Sequence, residues 1–66
     1  MIIQLNGRAH ETEDGLTVAG LVETLGLRPG MVADEVNEEL VPRDRREGTT
    51  LRPGDRVELV TIMGGG

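Results

Sequence analysis

Arg56-Val57-Glu58-Leu59-Val60-Thr61-Ile62-Met63-Gly64-Gly65-Gly66 changes character twice, and the rest of the chain is read from those changes. Residues 56–63 alternate as a strand does, with Val57 and Leu59 on one face and Glu58, Val60 and Ile62 on the other. A core does not take Glu58 unpaired, so Val57 and Leu59 are predicted to face inward. Val60 and Ile62 are then left on an open side of the sheet. After Met63 the chain is glycine alone, with no charged residue to solubilise an apolar strand end.

Working outward, Pro53-Gly54-Asp55 is a turn into this strand. Met1 to Leu5 is β-prone and is stopped by Asn6-Gly7, a strong hairpin signal, so Arg8 to Glu11 is expected to return antiparallel. If Ile3 and Leu5 face the core, Ile2 faces away with Gln4. Ile2 therefore joins Val60, Ile62 and Met63 as candidates for a docking patch beside the tail. Scattered exposed aliphatics, which are ordinary, are the plainer explanation.

The middle of the chain supplies one helix. Thr17 is a candidate N-cap, Leu16 and Leu21 stand at the two staple positions around it, and Val18, Leu21, Val22 and Leu25 form one apolar face. Gly26 fits the left-handed stop, and Pro29-Gly30 marks the loop beyond. Met31 to Val36 reads as a strand in which the period that sends Val32 and Val36 inward sends Asp34 inward too. Either the strand bulges, or Asp34 lies at an open edge with water. Asn37-Glu38 is a turn, and Glu39-Leu40-Val41 a short returning strand. Pro42 to Gly48 reads as a solvated charged loop whose Arg43, Arg45 and Arg46 form the one basic cluster, or as a partner contact. The order β-β-α-β-β with a single helix predicts a two-layer α+β domain, with the first and last strands as central neighbours.

At 66 residues the chain is one domain that buries only roughly 60% of its unfolded surface. That leaves little room for a closed catalytic pocket and favours a carrier or binding module over an enzyme. The net charge of −5 comes from 7 Arg, no Lys and 12 acidic residues, with no aromatic residue. No basic stripe and no base-stacking platform are evident, so nucleic acid is not an expected partner. Acidity suits a basic partner and suits solubility equally. Without Cys there is no disulfide, thiolate ligand or thiol nucleophile. The single His10, in the polar run Arg8-Ala9-His10-Glu11, does not make a metal site and reads as an exposed strand or loop residue. No apolar run approaches the roughly 18 residues of a membrane span, and no signal peptide is visible. No membrane contact is expected, and a cytoplasmic location is the default.

The glycines carry the chemical expectation. Without a Cβ, Gly64 and Gly65 let the backbone thread a channel that side chains would block, and three extended residues reach roughly 10 Å. The α-carboxylate of Gly66 is a poor electrophile until it is converted to an acyl-phosphate or acyl-adenylate. The chain has neither a phosphate-cradling loop nor a lysine, so a partner has to supply nucleotide, Mg²⁺ and nucleophile.

A β-grasp order ending in Gly-Gly resembles the ubiquitin-like superfamily. Within it, Val36-Asn37-Glu38-Glu39-Leu40-Val41-Pro42-Arg43 resembles the apolar-Asn-polar-polar-apolar-Val-Pro-Arg segment of the ThiS family, the sulfur carriers of thiamine biosynthesis. Ile3-Gln4-Leu5-Asn6-Gly7, Leu16-Thr17-Val18-Ala19-Gly20-Leu21-Val22 and Pro53-Gly54-Asp55 match as well, and the similarity spans essentially the whole chain. It implies an α+β, β-grasp (ubiquitin-like) fold with a mixed sheet and one helix on one face, over residues 1–63, with 64–66 as a flexible tail. It implies that Gly66 is adenylated by an E1-like, ThiF-like adenylyltransferase that binds ATP and Mg²⁺. The adenylate would become a thiocarboxylate through a persulfide relay and donate sulfur to thiazole synthase. The chain would be a carrier acted on by enzymes, with no cofactor of its own. The third glycine, Gly64, exceeds the family's minimal ending, and Asp34 stands where similar sequences carry an apolar residue. Related carriers for molybdopterin or tRNA thiolation, and ubiquitin-like protein modifiers, share the activated terminus.

Overall fold

A computed structural model describes residues 1–62. Its strands are β1 (Ile2–Leu5), β2 (Arg8–Glu11), β3 (Val32–Val36), β4 (Glu39–Leu40) and β5 (Arg56–Thr61), with one helix, α1 (Val18–Thr24), and 3-10 turns at Pro29–Met31 and Arg43–Arg45. The short returning strand β4 is thus present, making the order β-β-α-β-β-β. Met31 belongs to the turn before β3 rather than to the strand. The sheet runs β2-β1-β5-β3-β4. β1 and β5 are parallel and every other pair is antiparallel. The first and last strands are neighbours, as expected, and β5 is the middle strand.

Two asparagines fix β5 from either side. Asn6 (φ 49°) with Gly7 (φ 81°), and Asn37 (φ 52°) with Glu38 (φ 71°), occupy the left-handed region at the tips of the two hairpins, as turns matched to strand twist require. Glu38 carries the cost of that conformation without being glycine. Each asparagine side chain extends the ladder: Asn6 Oδ1 accepts from the Leu59 amide at 2.9 Å and Asn37 Oδ1 from the Arg56 amide at 3.0 Å.

A seven-residue helix is too short to persist alone, and its ends are fully accommodated. The Gly20 amide donates to Thr17 Oγ1 at 3.0 Å, and the Leu21 amide to Thr17 O. The Val18 and Ala19 amides donate to the carbonyls of Thr49 and Arg46, so none of the first four donors is orphaned. At the other end Gly26 (φ 72°) completes a Schellman closure, with Leu27 N–H to Val22 O and Gly26 N–H to Glu23 O. Val18, Leu21 and Val22 meet Ile3, Val32, Val57 and Leu59 in the core, together with Leu51 from the loop before β5.

Asp34 corrects both alternatives offered by the sequence. β3 runs in unbroken register against β5, from Val32 opposite Thr61 to Val36 opposite Val57, so there is no bulge. β3 also lies inside the sheet, between β5 and β4, so there is no open edge. Asp34 points into the core at 0% exposure and is neutralised there by Arg46, itself 5% exposed. Arg46 therefore does not belong to a solvated basic loop. Its Nε forms an ion pair with Asp34 Oδ2, while its terminal nitrogens donate to Pro29 O and Val32 O, both at 2.7 Å. Asp34 Oδ1 has no hydrogen-bond partner among the described residues.

Burial pushes the Asp34 carboxyl above its ordinary value of 3.8, and the Arg46 cation pulls it only part of the way back. A carboxyl raised in the folded state binds more protons folded than unfolded, so acid favours the fold through this group. Its penalty is absent below the unfolded value and is fully present above the raised folded one. Arg46→Met, which strands a buried carboxylate, is expected to cost about 3–5 kcal/mol in urea unfolding at pH 7, a large part of the stability of so small a domain. Adding Asp34→Val is expected to restore at least half of that loss. The parent's stability relative to the double variant should rise as pH falls through the folded Asp34 value. A double variant no better than Arg46→Met would mean that the carboxylate is not the source of the loss.

Candidate functional site

The candidate site is the C-terminal end of β5 and the open face of the sheet around it. β5 enters from the Pro53-Gly54-Asp55 turn, where Gly54 takes φ 84° and its amide donates to Ile2 O at 2.8 Å. Strand alternation buries Val57 and Leu59 against the helix and turns Glu58 and Val60 to the other side. Val60 is 61% and Ile62 48% exposed. The Ile62 amide still donates to Met31 O at 2.6 Å, so backbone pairing with the neighbouring segment continues through residue 62.

Ile2 is 58% exposed on this same open side, but it does not join the patch. Gln4 pairs with Arg56 in the parallel ladder, which puts Ile2 level with Gly54. Val60 lies six residues further along β5, about 20 Å away. Sequence alternation fixes the face of a residue and is silent about position along the strand, which only register supplies. The residues that do flank the end of β5 come from β3 and its approach: Ala33 opposite Val60, and Met31, exposed, beside Ile62. Met31 and Ala33 were not singled out from sequence. The signal was the antiparallel partner of β5, which no single-strand pattern reveals. Met63, Gly64, Gly65 and Gly66, and with them the boundary between domain and tail, lie outside the described residues.

Below the apolar end, Glu35 stands directly opposite Glu58 on the same face. A shallow recess of about 180 Å³ is lined by these two with Glu38 and Arg56. Arg56 is paired with Glu38 at 3.5 Å; among the described residues no ion pair includes Glu35 or Glu58.

A larger hollow, about 570 Å³, lies on the helix side between Ala19, Val22, Pro29 and the 43–47 loop. The Arg46 guanidinium that lines it is already engaged by Pro29 O, Val32 O and Asp34, so it offers a ligand little. His10 lies half-buried in the edge strand β2 opposite Ile3. Among the described residues no group of three or more His, Cys, Asp or Glu is placed to hold a metal ion, and no helix is long and apolar enough to cross a membrane.

Residues 3–66 match the model of the ThiS family. The chain is 32% identical over 66 residues to the sulfur carrier protein ThiS of Escherichia coli, covering all of both chains. It is 41% identical over 66 residues to a thiazole synthase of Magnetococcus marinus, but there it spans only 20% of the relative's length, as it does in a thiazole synthase of Paramagnetospirillum magneticum at 33% identity. The crystal structure of the thiamine biosynthesis protein ThiS from Geobacter metallireducens superposes over the full length of both chains with a TM-score of 0.86 at 32% identity.

Val60→Asp places a charge on an exposed face and is expected to cost no more than about 1 kcal/mol, leaving the thermal melt cooperative. A loss of several kcal/mol would show that Val60 is a packing residue.

Proposed function

The chain belongs to the ThiS family, and from that membership we propose that it serves as a sulfur carrier of thiamine biosynthesis, with the carboxylate of Gly66 as the atom group that is loaded. The observation that carries this reading is the match along the full length of a ThiS sulfur carrier, joined to a sequence that ends in Gly64-Gly65-Gly66.

The proposed chemistry begins with attack of a Gly66 carboxylate oxygen on the α-phosphorus of ATP, with pyrophosphate leaving and the acyl-adenylate forming. A persulfide's terminal sulfur then displaces AMP at the acyl carbon. A thiol then attacks the donor-side sulfur of the resulting acyl disulfide, forming a disulfide with the donor and releasing the thiocarboxylate, whose sulfur passes to thiazole synthase. A ThiF-like adenylyltransferase supplies the ATP and Mg²⁺ site, and the persulfide comes from a separate donor. This chain supplies access. Gly64 and Gly65 present no side chain to a narrow channel, and exposed Val60 and Ile62 give an apolar approach to it. Ile2 stands too far along the sheet to share that approach. The two thiazole synthases that contain a unit similar to the whole of this chain support thiazole synthase as the acceptor.

Co-expression with an activating enzyme and a sulfur source, followed by intact mass spectrometry, tests the reading. Exchange of oxygen for sulfur adds about 16 Da. Unmodified chain together with isopeptide adducts on other proteins would replace the carrier by a protein modifier. Deletion of Gly66 is expected to leave the melting curve unchanged and to abolish loading; loading that survives the deletion would remove Gly66 from its role.

A further inference from the structure

The pair Glu35–Glu58 is unexplained by folding. Like charges directly opposite in adjacent strands destabilise a sheet, and this pair sits on the solvent side of the two strands with the longest ladder among the described residues. The nearby cation, Arg56, is bonded instead to Glu38. Above the two carboxylates the same face turns apolar through Ala33, Met31, Val60 and Ile62. The helix covers the opposite face, so among the described residues nothing lies over this one.

We propose that this open face is where the chain meets thiazole synthase. Glu35 and Glu58 together receive one arginine or lysine of the enzyme, framed by aliphatic side chains that pack on Met31, Val60 and Ile62. The inference rests on the reading above that thiazole synthase is a partner, and adds which surface is used and what stands opposite it. A second copy of this chain is a poor occupant. The chain carries −5, and a symmetric contact through this face would bring four carboxylates together. Thiazole synthase is favoured because a unit similar to the whole chain occurs within proteins of that name, where the two parts stay within reach of one another. The face also runs without interruption to the end of β5 and Ile62, the last of the described residues.

The test is titration calorimetry of the full chain against the source organism's thiazole synthase at low and high salt. Glu35→Gln/Glu58→Gln is expected to weaken binding about tenfold or more at low salt and to flatten its salt dependence. Its melting temperature should equal or exceed the parent's, because a repulsion has been removed. Glu23→Gln/Glu47→Gln, the same charge change on residues off this face, is expected to bind within about twofold of the parent. Equal weakening by both double variants, or parent-like binding by Glu35→Gln/Glu58→Gln, overturns the proposed surface while leaving the partner in place. A parent chain that does not bind the enzyme overturns the partner and the surface together.

Discussion

Arg46 holds three parts of the molecule to one another. Its backbone carbonyl receives the second amide of the helix, its guanidinium spans Pro29 O and Val32 O, and its Nε meets the carboxylate of Asp34 in the middle of β3. The loop from Pro42 to Gly48 crosses the helix start because that side chain has to reach the core, and the start of β3 is held under the helix by the same group. Replacing such a buried pair by apolar residues often leaves stability unchanged or improves it. Its service here is therefore positional: it specifies where an irregular, strongly charged loop lies on a domain with few apolar residues to spare. The direction of the Asp34 shift, upward through burial, shows that this service carries a desolvation cost.

Much of this was legible in the sequence, for local reasons. Asn6-Gly7, the Thr17 cap, the Gly26 stop and the inward setting of Val57 and Leu59 each depend on neighbours a few residues away, and each is found in the structure. Asp34 was legible in part: the period sent it inward, but its solution lay twelve residues on, in an arginine that resembled its solvated neighbours Arg43 and Arg45. Asking which cation neutralises an inward aspartate would have singled out the one basic cluster. Leu51 is buried without a signal in the sequence, because a single leucine in a loop has no period to announce it. Position along the open face needed register, which alternation does not carry. Ile2 and Val60 share a face and lie far apart, whereas Met31 and Ala33, distant in sequence, flank the end of β5.

The two faces of the sheet divide the work. One is spent on stability: it takes the helix, Leu51 and the buried ion pair. The other is left with aliphatics at one end and uncompensated carboxylates beside them, an arrangement that a free domain does not need. The charge of the chain as a whole does not distinguish a solubility device from a recognition device. Its placement does, because a like-charged pair in cross-strand contact contributes nothing to solubility that separated charges would not.

The strand order has a consequence for how the domain comes apart. Its edges, β2 and β4, come from inside the chain, while the first and last strands, β1 and β5, lie inside the sheet. Fraying usually begins at chain termini because little holds them. Here, peeling β5 away would divide the sheet in two and uncover Val57 and Leu59 at once, so its opening coincides with global unfolding. The ladder amides of β5 are then expected to exchange through opening of the domain as a whole. A partner that pulls on the segment beyond β5 pulls against the whole domain, and the strand that leads to the glycines acts as a rigid mount.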